Sequence, residues 1–334
     1  MKPVLTAAVL SLALAATAMA GGSTDCLSTE RPMDCLADRA NEFAQSEKSA
    51  TLRAEGYESL LLALSKAGIR KDGVFNDSAG AEVEDASTRW RLGVARRVYA
   101  LNFLQDDSNL ASVNRSYATA VAIKEHEKGF ERLAIIWTAC EAREATPRSK
   151  MARWEGALDR LCSLSRSDAE ALDEEIPSLA IIAAPMIDAY NRNLDAMKRS
   201  MAISNELLSE YGILLDKAST DDGRTAIRLL IAIGHALNAS AFALVDMPDE
   251  AAKEVKAATD SLAKLPMTGK DPTLDLINSY LSWAMAKAGM HAQAMGEVRT
   301  ILSNVDSNND MDSGDKALAL AECIEILDAV RTGK

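Results

Sequence analysis

Apolar residues recur along this chain at the three-and-four spacing of helices. No run of alternating β-branched residues sits between them. The clearest unit runs from Asp271 to Val305 and reads as two helices joined at Ala288-Gly289-Met290. Asp271 and Pro272 suit a helix start. Leu274, Ile277, Leu281, Ala284 and Ala288 fall on one face of the first helix. Leu276, Tyr280, Trp283 and Lys287 form a second stripe beside it. The second helix carries Met290, Ala294, Val298, Ile301 and Leu302 in the same rhythm. Two apolar faces on one hairpin demand neighbours on both sides, which is the logic of a stacked helical array.

Earlier segments follow the pattern less regularly. Residues 34–68 form a first hairpin, with Leu36, Ala40, Phe43 and Ala44 on its first helix and Tyr57, Leu60, Leu61, Leu64 and Ala67 on its second. Its end, Ala63-Leu64-Ser65-Lys66-Ala67-Gly68-Ile69, echoes Ala284-Met285-Ala286-Lys287-Ala288-Gly289-Met290. In both, a helix of small residues meets a glycine suited to a left-handed cap. Residues 70–86 form a polar, glycine-containing connection. Helices are expected at 87–104, 108–128, 129–143 and 150–164. Ser167-Asp168-Ala169-Glu170 reads as the capping box of the next. Pro177 and Pro185 interrupt the apolar run from Ile176 to Ile187. Leu229 to Val245 carries no charge, but Gly234, His235, Asn238 and Ser240 favour a helix buried in the stack over a membrane span. The fold class expected is all-α, built of stacked antiparallel helical hairpins and irregular in the N-terminal half.

The hairpins at 226–264 and 272–304, about 75 residues together, resemble tetratricopeptide repeats, the 34-residue helix-turn-helix units. Leu281, Gly289, Ala294 and Ile301 sit at that family's large, glycine, small and small-or-apolar offsets. Ala251, Val255 and Ala258 match its second-helix positions in the hairpin before. Ser282 stands where the family has glycine, Met285 where it has an aromatic, and no proline closes either unit. The resemblance implies a right-handed superhelix whose concave face binds peptide or protein. With Leu281 and Ala284 on the core face, Leu276, Ser279, Trp283 and Lys287 would look into that groove. The alternative for Trp283 is packing against a C-terminal helix at 315–331.

The start, MKPVLTAAVLSLALAATAMA, has an early lysine, an apolar run and a small-x-small end at Ala18-Met19-Ala20. This is the pattern of a secretory signal cleaved after Ala20, and its short, alanine-rich form points to the periplasm. The expected division is residues 1–20 as signal peptide, 21–165 as an N-terminal helical region and 166–334 as a C-terminal tetratricopeptide-like region. The chain carries 37 basic and 49 acidic residues. Loss of Lys2 with the leader takes the formal charge to −13. That balance suits neither nucleic acid nor anionic lipid, and no stable membrane insertion is expected after cleavage.

Five cysteines in an oxidising compartment call for pairing. Cys26 and Cys35 enclose a short loop and are the expected bridge. Cys140 and Cys162 flank the turn at Pro147 at unequal distances, so their registers do not obviously meet. Cys323, on an apolar helix face, reads as a buried free thiol.

Chemistry is sparse. His126, His235 and His291 begin no zinc motif, and no nucleophile elbow or phosphate-cradling loop occurs. The acidic segment 306–312 has oxygens at alternate positions, but Met311 replaces the glycine a calcium loop needs and Ala317 its bidentate glutamate. No cofactor, metal or enzymatic activity is expected. The functional expectation is a scaffold or adaptor that binds a protein or peptide partner through Leu276, Ser279, Trp283 and Lys287. The alternative is a periplasmic protein that binds a small ligand or cell-wall fragment in a pocket walled by Trp90, Trp137 and Trp154.

Overall fold

A computed structural model describes residues 22–74, 82–104, 117, 119–146, 155–265 and 272–333. Among these residues the regular structure is helical and no strand occurs. A 3₁₀ turn at Ser23–Ser28 leads into α1 (Pro32–Ser46) and α2 (Ala50–Ala67). Then come α3 (Ala86–Phe103), α4 (Gly129–Ala145), the short α5 (Glu155–Leu161), α6 (Arg166–Glu175) and α7 (Leu179–Tyr190). The remainder is α8 (Leu194–Lys217), α9 (Asp221–Leu244), α10 (Pro248–Leu262), α11 (Pro272–Lys287), α12 (His291–Ser307) and α13 (Ser313–Thr332). Residues 119–126 are also helical, inside the expected 108–128.

The helix ends are written in local chemistry. Ser49, Asn193 and Thr220 each accept a backbone N–H three residues on, at the starts of α2, α8 and α9. Gly68 ends α2 in the left-handed region at φ 68°, and Gly289 follows α11 at φ 77°. The capping box before α6 lies two residues earlier than expected. Ser165 caps the Asp168 amide at 3.2 Å, and Asp168 accepts in return from the Ser165 amide at 3.0 Å. Pro177 stands in the break between α6 and α7, as expected, and Ser178 starts α7 with a positive φ of 71°, whereas Pro185 lies inside that helix.

The helices expected at 226–264 and 272–304 form the hairpins α9–α10 and α11–α12, and their neighbours bend them into a ring. Helices α2, α4, α7, α9, α11 and α13 pack side by side, each against the next. Helices α1, α3, α6, α8, α10 and α12 sit outside, each wedged between two of the inner set. The last helix, α13, packs against both α1 and α2, which closes the circle. An open superhelix has no such contact between its first and last helices, so that part of the expectation is corrected. The α4–α6, α4–α7 and α2–α13 contacts cross the boundary expected at 165/166.

Small residues let the helices approach. Ala63, Ala139, Ala183, Ala236, Ala284 and Ala321 are all buried on the inner helices. At the closing seam a Cβ on Gly314 would lie 2.6 Å from the Leu52 carbonyl oxygen. One on Gly56 would lie 3.0 Å from the Ala317 methyl. Glu47, at the end of α1, accepts from the Gly314 amide at 2.8 Å and so caps α13 across the seam. The long apolar helix α9 has the length and composition of a membrane span but serves as an inner helix of this ring. Its Asn238 is buried against Ser204 and Asn205, and the Ser240 hydroxyl donates to the Tyr280 carbonyl.

Two disulfides form. Cys26–Cys35 ties the 3₁₀ turn to α1, as expected. Cys140–Cys162 also bridges, with Cα atoms 4.8 Å apart, against the sequence reading. Cys162 follows directly on α5, and residues 147–154, which join α4 to α5, lie outside the described residues. Cys323 is a free buried thiol, and burial pushes its ionisation well above the ordinary value. Two disulfides are the chemistry of an oxidising, secretory environment.

Candidate functional site

The centre of the ring holds a cavity of about 750 Å³, partly open to solvent, to which all six inner helices contribute. Its position follows from the fold: each inner helix turns one face to its outer partners and another to the centre. On α11, Ile277, Leu281 and Ala284 are buried in the core, as the spacing predicted. Tyr280, Trp283 and Lys287, one stripe over, line the central space together with Ser279. Three of the four expected groove residues thus share a surface, and that surface faces the cavity of a ring. Leu276 lies within α11, but its side chain falls outside the described residues. Trp283 is half-buried beside the cavity, with the Lys287 ammonium 5.3 Å from its ring centre.

The three tryptophans expected to wall a pocket divide. Trp137 lines the cavity. Trp90 is 7% exposed in the core, and its indole nitrogen has no partner among the described residues. Trp154 lies outside the described residues.

Around Trp137 the site has a defined floor. The rings of Tyr190 and Tyr280 meet it edge-on, with centroids 5.8 and 5.5 Å away. Both tyrosines line the cavity, and burial, joined by the nearby Glu141, holds their phenols well above the ordinary range. The Tyr190 side chain is positioned by its backbone: the Arg143 guanidinium on α4 donates to the Tyr190 carbonyl and, at 3.0 Å, to Asp159.

Lys66 reaches across this floor. Its ammonium donates to Glu325 at 2.9 Å and to Glu141 at 3.2 Å, so α2, α4 and α13 meet in one ion cluster. Burial works against the Lys66 charge, but the two carboxylates outweigh it and raise its ionisation. Burial raises the Glu325 carboxyl against the pull of Lys66. A second cluster joins α2, α3 and α4. Glu58 accepts from Arg91 at 2.7 Å and from the Thr138 hydroxyl at 2.7 Å, while Arg91 also donates to Glu55 at 3.0 Å. Burial pushes the Glu58 carboxyl up to about 7, against the opposing pull of Arg91 and Thr138. Both Glu58 oxygens are taken up in this brace, so its geometry is that of a strut between helices.

The sequence reading missed Lys66, Glu141, Tyr190 and Glu325 as site residues. One signal was present. The echoed segments at 63–69 and 284–290 are both last turns of inner helices, and Lys66 and Lys287 both line the cavity.

Other candidates resolve as structure. His235 pairs with Glu254 at 2.6 Å on α9 and α10. No group of histidine, cysteine and carboxylate residues able to hold a metal occurs among the described residues. Asp306, the first position of the acidic segment at 306–312, accepts from the amides of Ser23 and Thr24. Comparison with protein-family models, with curated proteins and with solved structures finds no match.

Proposed function

We propose that this is a periplasmic small-ligand-binding protein, delivered by a cleaved leader, whose ligand occupies the centre of the ring. One observation carries this reading: a single cavity receives side chains from seven helices far apart in sequence, including Trp137, Tyr190, Tyr280 and Trp283. A volume of about 750 Å³ falls in the range of small-molecule sites, which are apolar and aromatic with a few placed polar groups.

Mass spectrometry of the intact protein, purified natively from envelope extract, tests the reading. A bound small molecule is expected, and it should be absent from a Ser279→Trp variant that fills the cavity but still folds. Wild-type protein that carries no ligand, and gains no stability from any soluble envelope fraction, would refute it.

A second reading, the scaffold or adaptor that binds another protein, draws on a different surface. Helix α8 exposes Leu194, Ile203, Ile213 and Leu214, each between 40% and 54% accessible. Stoichiometric recovery of one protein in a pull-down, lost in an Ile203→Glu, Ile213→Glu variant, would favour it.

A further inference from the structure

Building on the reading of the cavity as a ligand site, we infer that its ligand is an organic cation, an ammonium group carried on an apolar body. The charges lining the cavity are unequal. Glu58, Glu141, Glu144, Glu322, Glu325 and Asp328 stand against only Lys66, Arg91 and Lys287. Two of those three bases are already committed, Lys66 to Glu141 and Glu325, and Arg91 to Glu55 and Glu58. Those pairs also take up Glu58, Glu141 and Glu325, and Asp328 pairs with Arg331, but the lining still carries three more acidic than basic side chains, six against three, so an anionic ligand would meet a net negative wall.

The backbone adds to the same field. Lys66, Glu144, Tyr190 and Lys287 lie in the final turns of α2, α4, α7 and α11, and all four line the cavity. The inner helices thus bring their carbonyl ends to one end of the ring. Each such end carries a partial negative charge of roughly half an electron. Leu179 and Phe130, in the first turns of α7 and α4, line the cavity where those dipoles reverse sign, and Leu133, Ile233, Leu237 and Ile277 add an apolar wall. That gradient suits a molecule with one charged end.

The aromatic residues supply the third observation. A ring face attracts a cation through its quadrupole. The protein already uses one face this way, because the Lys287 ammonium stands 5.3 Å from the Trp283 ring centre. A ligand ammonium would take the place of Lys287 on that ring. Tyr190 is 8% exposed and lines the cavity, and no hydrogen bond reaches its hydroxyl from the described residues. A sugar would find the same rings, but it would gain nothing from the carboxylates beyond ordinary hydrogen bonds.

Choline and its uncharged isostere 3,3-dimethylbutan-1-ol make a matched pair of probes, since only the charge differs. Calorimetric titration of the mature protein is expected to show choline binding about tenfold or more tightly than the alcohol. Trp283→Ala should weaken choline by about tenfold, and Lys287→Met, which removes the competing ammonium, should strengthen it. Circular dichroism and the melting temperature confirm that both variants remain folded. Equal affinity for the two probes, or binding of neither at millimolar concentration, would overturn the cation assignment. A co-purified ligand that proves neutral or anionic would also overturn it while leaving the cavity reading intact. Absence of any ligand in the mass measurement described above would instead strike at the cavity reading itself.

Discussion

The carboxylate of Asp306, at the end of α12, accepts from the backbone amide of Ser23 at 2.6 Å across 283 residues of chain. It also takes the Thr24 amide and hydroxyl, each at 3.0 Å. The 3₁₀ turn held this way packs on both α1 and α12, so it spans the seam where the ring closes. Burial works against the Asp306 charge, but the amides outweigh it and hold its ionisation below 3.8. This support is therefore present above pH 3.8 and lost as pH falls through the lower value. Asp306→Ala is expected to cost about 1 kcal/mol in urea unfolding, less than the roughly 1.5–3 kcal/mol of charge-assisted bonds because the residue is exposed. An unchanged unfolding midpoint would show that the turn does not hold the seam.

Close approach at the seam gives a second expectation. Gly314 leaves no space for a methyl group, which would meet the Leu52 backbone at 2.6 to 2.8 Å. Backbone cannot swing aside as a side chain can, so α13 would have to move off α2. Gly314→Ala should destabilise by about 1–3 kcal/mol despite alanine's better helix propensity. A stabilised variant would mean that the first and last helices do not pack this closely.

Both disulfides should survive peptide mapping under non-reducing conditions, as Cys26–Cys35 and Cys140–Cys162. In the chain-entropy account a bridge spanning 22 residues stabilises by about 3 kcal/mol, and one spanning 9 residues by somewhat less. Replacing Cys140 and Cys162 with serine should therefore lower stability more than replacing Cys26 and Cys35. Cys323 should react with an alkylating reagent only after denaturation. Rapid labelling of the folded protein at Cys323 would contradict its burial.

The helices were legible because their signals are local. The 3.6-residue spacing set Ile277, Leu281 and Ala284 on the core face, and all three are buried there. It also set Tyr280, Trp283 and Lys287 on one stripe, and that stripe lines the cavity. Ring closure was not legible. It rests on contacts such as Asp306 with Ser23 and Gly314 with Leu52, whose partners no periodicity connects. A pair of stacked hairpins reads the same in an open array and in a closed one. The Lys66–Glu141–Glu325 cluster was hidden for the same reason. Each residue alone looks like a solvated charge on a helix, and only closure brings the three together.

The brace at Glu58 predicts an unusual pH response. Its folded-state value of about 7 lies above the ordinary 4.5, so the folded protein keeps the proton to higher pH than the unfolded chain. On this group's account stability is greatest below pH 4.5 and declines as pH rises through about 7. Arg91 keeps Glu55 as a partner when Glu58 takes up its proton. Glu58→Gln should flatten the decline between these limits in urea midpoints. A variant with the same slope as the parent would show that Glu58 is ionised throughout.

Asp168 predicts the opposite sign. It is 1% exposed, accepts from Lys124 at 3.0 Å and Arg132 at 2.8 Å, and caps α6 with Ser165. Burial opposes its charge, but Ser165 and Lys124 outweigh burial and hold the carboxyl below its ordinary 3.8. Its contribution is thus fully present above pH 3.8 and disappears as pH falls through the lower folded value. Asp168→Asn leaves two buried cations facing a neutral amide, and removing one partner of a buried pair costs about 3–5 kcal/mol. Urea unfolding near neutral pH should show that loss, and the difference from the parent should shrink as pH drops below 3.8. A loss that stayed constant into acid would mean that packing of the side chain, and not its charge, is what α4 and α6 depend on.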